Sequence, residues 1–435
     1  MDVAMGLYDD AGMASLPHTI SMMGSTFAMT HMASISNKRS RGYAWSNSSS
    51  SSGESYVGEK KMMERERNRL QARKSRTLKK QCTEKLQQQL SQLREQAKES
   101  RAKEAEEAKE IADRRHAWRK VLRKVFDLRS EGCTDDDQWL TTVSPDLRMT
   151  MPITPYRSFN PADVVNNRRV MLGVDGIISD TQSLKVTRDT IGIKTRGAEN
   201  AVSIRYDLGC DSHGVGDPSA SKGDANGFYN DNGLMCTFHM RTTDAVAHGA
   251  QSECEKHGMI RVAFSEDNKV KELDITFDPI AVYHQLMLAD GKQDFPVVPN
   301  TLGNALKDEK SCIVVTTARR PFRITHVNNA WTNLCGFDIE ECKGKSLSIL
   351  QGPETDMSRV DTLCNLSQKG YATSMVVTNH NKKKGELFRN HLRCYPVTSE
   401  NPEEISHIVG VLSAIPGEKK EMEPSRVLPA AVEAC

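Results

Sequence analysis

The spacing of apolar positions changes repeatedly along this 435-residue chain and divides it into five segments. In residues 1–58, seven Met fall within the first 32 positions without helical spacing, and Ser48–Ser52 is an unbroken serine run. Such a stretch cannot bury enough apolar surface to offset chain entropy, so a disordered tail is expected. Residues 59–130 hold neither Pro nor Gly and are dominated by Arg, Lys, Gln, Glu, Leu and Ala, all good helix formers. One long helix is predicted, with room for a break before Trp118 and a stop at Glu131-Gly132. Its apolar positions form two stripes. Leu86, Leu90, Leu93 and Ala97 fill a and d of about two heptads. Ile111, Trp118, Leu122 and Val125 make the second, which either packs on the following domain or extends a coiled coil.

Residues 131–300 open with Ser144-Pro145, Pro152, Pro155 and Pro161. Val164–Leu184 reads as a helix, and Gly209–Gly233 as a mobile loop. Val202–Tyr206, Leu234–Thr242, Gly258–Phe264 and Val270–Phe277 read as strands, the last two joined by a turn at Ser265-Glu266-Asp267-Asn268. Residues 302–416 form another compact unit. Strands are predicted at Ile313–Thr316, Phe322–Val327, Ser374–Thr378, Phe388–Tyr395 and Ile408–Ala414, with short helices after the second. Residues 417–435 are a charged tail. The fold class expected is α+β.

Net charge is only +2, but Lys60–Lys80 carries ten Lys/Arg against Glu64 and Glu66, a local +8 that asks for a polyanion. Lys38-Arg39-Ser40-Arg41 is a smaller basic cluster, either a solvated linker or a nuclear-import signal. No run of about 18 apolar residues exists, so no membrane span is expected. Asp2, Asp9 and Asp10 replace the basic start of a secretory signal. Eleven Cys without a C-x-x-C pair suggest a reducing compartment and no metal module.

Asn68, Ala72, Ser75 and Arg76 share one helical face. In a major groove Asn can pair with base edges, Ala can pack on a thymine methyl, and Arg can fork onto guanine. Arg65, Arg67, Arg69, Arg73, Lys74, Lys79 and Lys80 surround that face and can reach phosphates. Leu86 follows Arg76 by ten residues and Leu93 follows by seven more. This arrangement resembles the bZIP family, with Gln71 departing from a common Ala. The resemblance implies a parallel coiled-coil dimer, double-stranded DNA with an ACGT-like palindromic core, nuclear location, and control of RNA polymerase II transcription. The zipper decays quickly, because Ser100, Glu104 and Glu107 take the next d, a and d positions. Arg94 and Arg101 at e meet only Gln89 and Gln96 at g. A heterodimer is therefore favoured over a homodimer. Cys82 stands at g beside Lys79 and Lys80 as a passive thiol or a redox switch.

Ile324–Phe337, Glu340–Lys345 and Ser346–Asp356 resemble a PAS domain, nearest the LOV flavin-sensor branch. The resemblance implies a cavity bearing Leu347, Gln351, Asn379, Asn390 and Leu412. In LOV sensors a Cys attacks the flavin, and Leu347 holds that position here. Ser348 and Cys364 replace two phosphate-binding Arg, and Leu412 replaces the Gln that senses flavin N5. Asn379 and Asn390, with Gln351, match the flavin-amide partners. No flavin cofactor is expected on this reading, and a protein-interaction or apolar-ligand module is.

In residues 131–300 the element order resembles NTF2-like or SnoaL-like folds, whose deep cavity serves enzymes and non-catalytic dimerisers alike. His239, His248 and His257 lie there with Asp244 and Glu253, but neither a nucleophile nor metal-ligand spacing accompanies them. No metal and no enzymatic activity are expected. The order of the whole chain resembles the aureochromes and the stramenopile, including diatom, bZIP–PAS proteins related to them. The expected function is a bZIP transcription factor with a sensory or interaction PAS domain. The alternatives are a flavin-binding, blue-light-regulated factor and an enzyme using the middle cavity.

Overall fold

The structure is a computed structural model that describes residues 54–193, 202–211, 227–291, 295–381, 385–399, 401 and 404–415. The N-terminal tail to residue 53, with its basic cluster and serine run, the C-terminal tail, and Lys382–Lys384 lie outside the described residues. Two compact units divide between Arg94 and Glu95.

Helix α1 runs Glu54–Glu131, and Gly132 ends it at φ +73°. A Cβ would be strained in that left-handed conformation. The second unit takes in this helix from Glu95 onward. Trp118, Leu122, Val125 and Phe126 are buried there, whereas Ile111 is exposed. The second apolar stripe thus packs on the following sheet. Trp118 stacks on Phe264 at 4.9 Å, and its Nε1 donates to Asn268 Oδ1 at 2.9 Å.

Next come α2 (Asp136–Leu140), β1 (Val143–Pro152), β2 (Val164–Val165), β3 (Arg168–Leu172), α3 (Gly173–Gly192) and β4 (Ser203–Leu208). They are followed by β5 (Phe228–Tyr229), β6 (Gly233–Thr243), β7 (Glu255–Phe264), β8 (Val270–Phe277) and α4 (Pro279–Asp290). The sheet order is β2-β3-β1-β8-β7-β6-β4, with β5 beside β6. β1 and β8 are parallel and the remaining pairs antiparallel. The inward positions include Leu147, Met149, Phe238, Ile260 and Leu273, and they form one core with α1 and α3.

Two expectations fail here. The predicted helix Val164–Leu184 is a hairpin followed by a helix that begins only at Gly173. Asn166 and Asn167 both take positive φ, 49° and 59°, which is the two-residue turn asparagine tolerates between short strands. In β3, Arg169 and Met171 then alternate inward. The predicted mobile loop Gly209–Gly233 contains β5, paired with Met235 and Leu234; residues 212–226 lie outside the described set. The turn at Ser265–Asn268 forms as predicted, with Asn268 at φ 58°.

The remaining elements are α5 (Leu302–Lys307), β9 (Cys312–Thr317), β10 (Ile324–Val327), α6 (Asn329–Cys335), α7 (Ile339–Cys342), α8 (Met357–Gln368), β11 (Thr373–Asn381), β12 (Glu386–Thr398) and β13 (Ile405–Ala414). A five-stranded antiparallel sheet has the order β10-β9-β13-β12-β11. Its strands are read correctly from the sequence apart from their ends. One face meets α6, α7 and α8, and the other meets α3 through Val186, which is buried with Ile313, Val315, Tyr395 and Val397.

Candidate functional site

Two regions carry chemistry. The first is the basic part of α1. Arg65, Arg67, Asn68, Arg69, Ala72, Arg73, Lys74, Ser75, Arg76, Lys79 and Lys80 all lie on this one helix, and all are exposed. At about 100° per residue, Asn68, Ala72, Ser75 and Arg76 span an arc of roughly 100°. Lys80 approaches Glu84 at 3.9 Å, and among the described residues the five arginines make no ion pair. Their guanidinium groups are therefore available to an external anion. Leu86, Leu90 and Leu93 are 60%, 49% and 64% exposed. A row of half-open leucines on a charged helix is an apolar surface that no other described residue covers.

The second is a cavity between the five-stranded sheet and α8. Leu347, Gln351, Asn379, Asn390 and Leu412 all line it. Asn390 sits on β12 and Asn379 on β11, and their side chains meet: Asn390 Nδ2 donates to Asn379 Oδ1 at 2.9 Å. Asn379 Nδ2 donates to the Leu350 carbonyl, and Asn390 Oδ1 accepts from Ser413 N. The amides thus satisfy one another, and a ligand that used them would have to replace those bonds.

The rest of the lining is mainly apolar, with Phe322, Leu350, Val360, Met375, Val377, Leu392 and Ile408, and adds the hydroxyls of Thr316, Ser346, Ser348, Thr355 and Ser367. No charged side chain is among the described lining residues. An Asn pair and Gln351 suit the amide edge of a planar ring, but the lining offers no cation for a phosphate tail.

Cys364, which the LOV resemblance sets at a phosphate-binding position, lines the cavity, and sequence reasoning missed a second wall thiol, Cys394. Cys394 follows Asn390 and Leu392 by the strand period of two, a signal that was readable. Burial pushes the Cys394 thiol up to about 12, so it is protonated and inert as a nucleophile. Cys335 and Cys342 pack instead in the cluster around Trp331. Of the middle-unit candidates, Glu253 is occupied by Thr242 Oγ1 and Val246 N, away from an acid–base role with a histidine.

Residues 310–413 match the sequence model of the PAS domain, and this C-terminal unit is a PAS domain. It is similar to a blue-light-activated histidine kinase of Brucella anthropi, 35% identical over 98 residues, or 22% of this chain and 20% of that protein. It is also similar to a bacterioopsin transcriptional activator of Halobacterium salinarum, 28% identical over 107 residues, or 24% of this chain and 16% of that protein. The chain thus spans a fifth or less of the length of these relatives. Among solved structures it is similar to the LOV domain of Aureochrome1, a blue-light photoreceptor. The light-state structure is 29% identical, covering 27% of this chain and 90% of that one, with a TM-score of 0.23. The dark structure is 26% identical, covering 28% and 89%, with a TM-score of 0.25.

Proposed function

We propose that the chain is a sequence-specific DNA-binding transcription regulator of the bZIP class, working in the nucleus as a coiled-coil dimer and carrying a PAS sensory or interaction domain. The observation that carries this reading is one exposed helical face. It bears Asn68, Ala72, Ser75 and Arg76, ringed by exposed cations, with open leucines ten and seventeen residues beyond Arg76 on the same helix. A groove-reading helix needs exactly this division between base-edge readers, phosphate contacts and a dimer seam. Selection from random duplex DNA tests it, with an ACGT-like palindrome expected. Asn68→Ala or Arg76→Ala should cost roughly 1–3 kcal/mol and relax selectivity, whereas Lys79→Ala should weaken all sequences alike. Selective binding that survives Asn68→Ala removes the groove assignment.

A second reading, regulation by blue light through bound flavin, is favoured by the 35% identity to a blue-light-activated kinase and by Gln351, Asn379 and Asn390 around one cavity. Bound flavin would supply light absorption. Leu347 at the cavity wall has no thiol to form an adduct, and the described lining holds no cation for a phosphate. We therefore hold that the domain works without photochemistry. The absorption spectrum of the purified chain separates the readings: stoichiometric flavin bands that bleach reversibly in blue light establish the second.

A further inference from the structure

On β6 and β7 the register sets His239 directly opposite His257. Strand alternation turns both rings to the outer face, while their neighbours Phe238, Met240 and Lys256 are buried on the inner one. Glu255 precedes His257 by two residues and so shares that face. The imidazoles stack with centroids 4.1 Å apart and planes 10° from parallel. Both Nε2 atoms face the same carboxylate oxygen: Glu255 Oε2 is 3.6 Å from His239 Nε2 and 3.8 Å from His257 Nε2. Among the described residues this is the single group of three His, Cys, Asp or Glu whose ligand atoms all lie within 4.8 Å of one another.

We propose that His239, Glu255 and His257 form a binding site for one zinc-type divalent transition-metal ion, with an outward coordination position left open. Metal–ligand bonds of about 2.0–2.2 Å in a tetrahedron place neighbouring ligand atoms about 3.3–3.6 Å apart. The two nitrogen–oxygen edges, 3.6 and 3.8 Å, lie within a few tenths of an ångström of that spacing; because a metal lies in the plane of each imidazole it binds, the exposed His257 ring turns out of the stack to close the third. A second, independent observation points the same way. His239 Nε2 is sealed from solvent and makes no hydrogen bond, since Glu255 stands beyond hydrogen-bond reach. A sealed, unsatisfied nitrogen is costly, and a metal ion in front of it removes that cost. Two imidazoles and one carboxylate select a borderline ion such as Zn²⁺ and reject Mg²⁺ and Ca²⁺, which take all-oxygen shells. Three protein ligands leave a fourth position for water or a donor group of a partner. The sequence hides this site because Glu255-x-His257 carries no recognised spacing, and His239 joins it only through strand register.

The full chain is titrated with Zn²⁺ alone and with Co²⁺ alone. One equivalent should bind, and the cobalt complex should show d–d absorption without a thiolate charge-transfer band. Losing even an outer partner of a metal ligand costs 10–100-fold, so His257→Ala and Glu255→Gln should each weaken binding at least roughly tenfold. His248→Ala, nearby but outside the triad, should leave it unchanged. His257 is largely exposed, so its variant keeps the fold, which matching thermal melts in chelator verify. Undiminished binding in a His239→Ala/His257→Ala double variant overturns the site. Thiolate charge transfer in the cobalt spectrum, or no wild-type binding at micromolar metal, does so equally.

Discussion

Asp180 shows how much one buried carboxylate can organise. It is fully buried on α3 and joins three guanidinium groups from separate segments. Its Oδ2 accepts from Arg129 at 2.6 Å, and its Oδ1 from Arg157 at 2.7 Å and Arg169 at 3.0 Å. Burial alone would raise its carboxyl, but Arg157, Arg129 and Arg169 outweigh that and hold it well below the usual carboxylate range. A lowered folded value means its contribution is complete above the unfolded carboxylate range near 3.9 and is lost only at pH below it. Asp180→Asn leaves buried cations uncompensated and should cost about 3–5 kcal/mol in denaturant unfolding. Lys256 behaves oppositely. Its ammonium lies 4.5 Å from the Phe277 ring centroid and 5.7 Å from that of Phe238. Burial, with Arg157 and Arg129, lowers it to about 7. The unfolded chain then holds more protons between about pH 7 and 10.4, so stability rises with pH across that window. Lys256→Met should stabilise the chain at pH 7, by roughly 1–3 kcal/mol, and flatten that rise. A Met variant less stable than the wild type at pH 7 would contradict the assignment.

At the scale of elements, α1 serves two purposes along one helix. Its buried end is a sheet-packing helix, and its basic part offers only Leu86, Leu90, Leu93 and Ala97 as an apolar seam. About two heptads are marginal for a coiled coil, and in a parallel homodimer Glu104 and Glu107 would face their own copies. A peptide of residues 59–115 should therefore self-associate weakly in sedimentation. Replacing Glu104 and Glu107 by Leu should restore association, and a tight wild-type peptide dimer at sub-micromolar concentration would refute the partner preference. The helix is legible in the sequence because its signals are local: no Pro or Gly, helix formers throughout, and Gly132 to end it. The β2–β3 hairpin is less so. Val164–Leu172 has enough apolar spacing to pass for helix, and only the paired Asn166 and Asn167 mark the turn.

Over the whole second unit, α3 is the shared member. Towards α1 it holds Arg129 through Asp180, and Arg188 donates to the Ser130 carbonyl at 2.8 Å. Towards the PAS sheet it buries Val186, while Tyr371 donates to Asp175 at 2.7 Å and Ser374 donates to Asp189. Asp189 is buried, and burial pushes its carboxyl up against the opposing pull of the Ser374 hydroxyl and of Arg188. Removing that hydroxyl strands a buried acceptor, so Ser374→Ala should cost about 1–3 kcal/mol. Tyr371→Phe acts on an exposed Asp175 and should cost less, near 1 kcal/mol. Hydrogen exchange should quicken first in β11 and α3. Equal effects of the two variants, or no change in either element, would show that these bonds do not hold the PAS sheet to α3.

The sequence by itself determined what depends on neighbours along the chain. It set the long helix and its end, the strands of the PAS sheet, the hairpin at Ser265–Asn268, the common face of Asn68, Ala72, Ser75 and Arg76, and the missing thiol at Leu347. Periodicity and turn chemistry act over a few residues, so a linear reading captures them. Only the tertiary structure decided which distant residues meet. It closed Asn379 and Asn390 on each other, gathered Arg129, Arg157 and Arg169 on Asp180, and carried the second apolar stripe of α1 into a core. It also brought His239 to Glu255 and His257, because strand register is fixed by burying one face of the whole sheet, and a shift of one residue would have turned the triad inward.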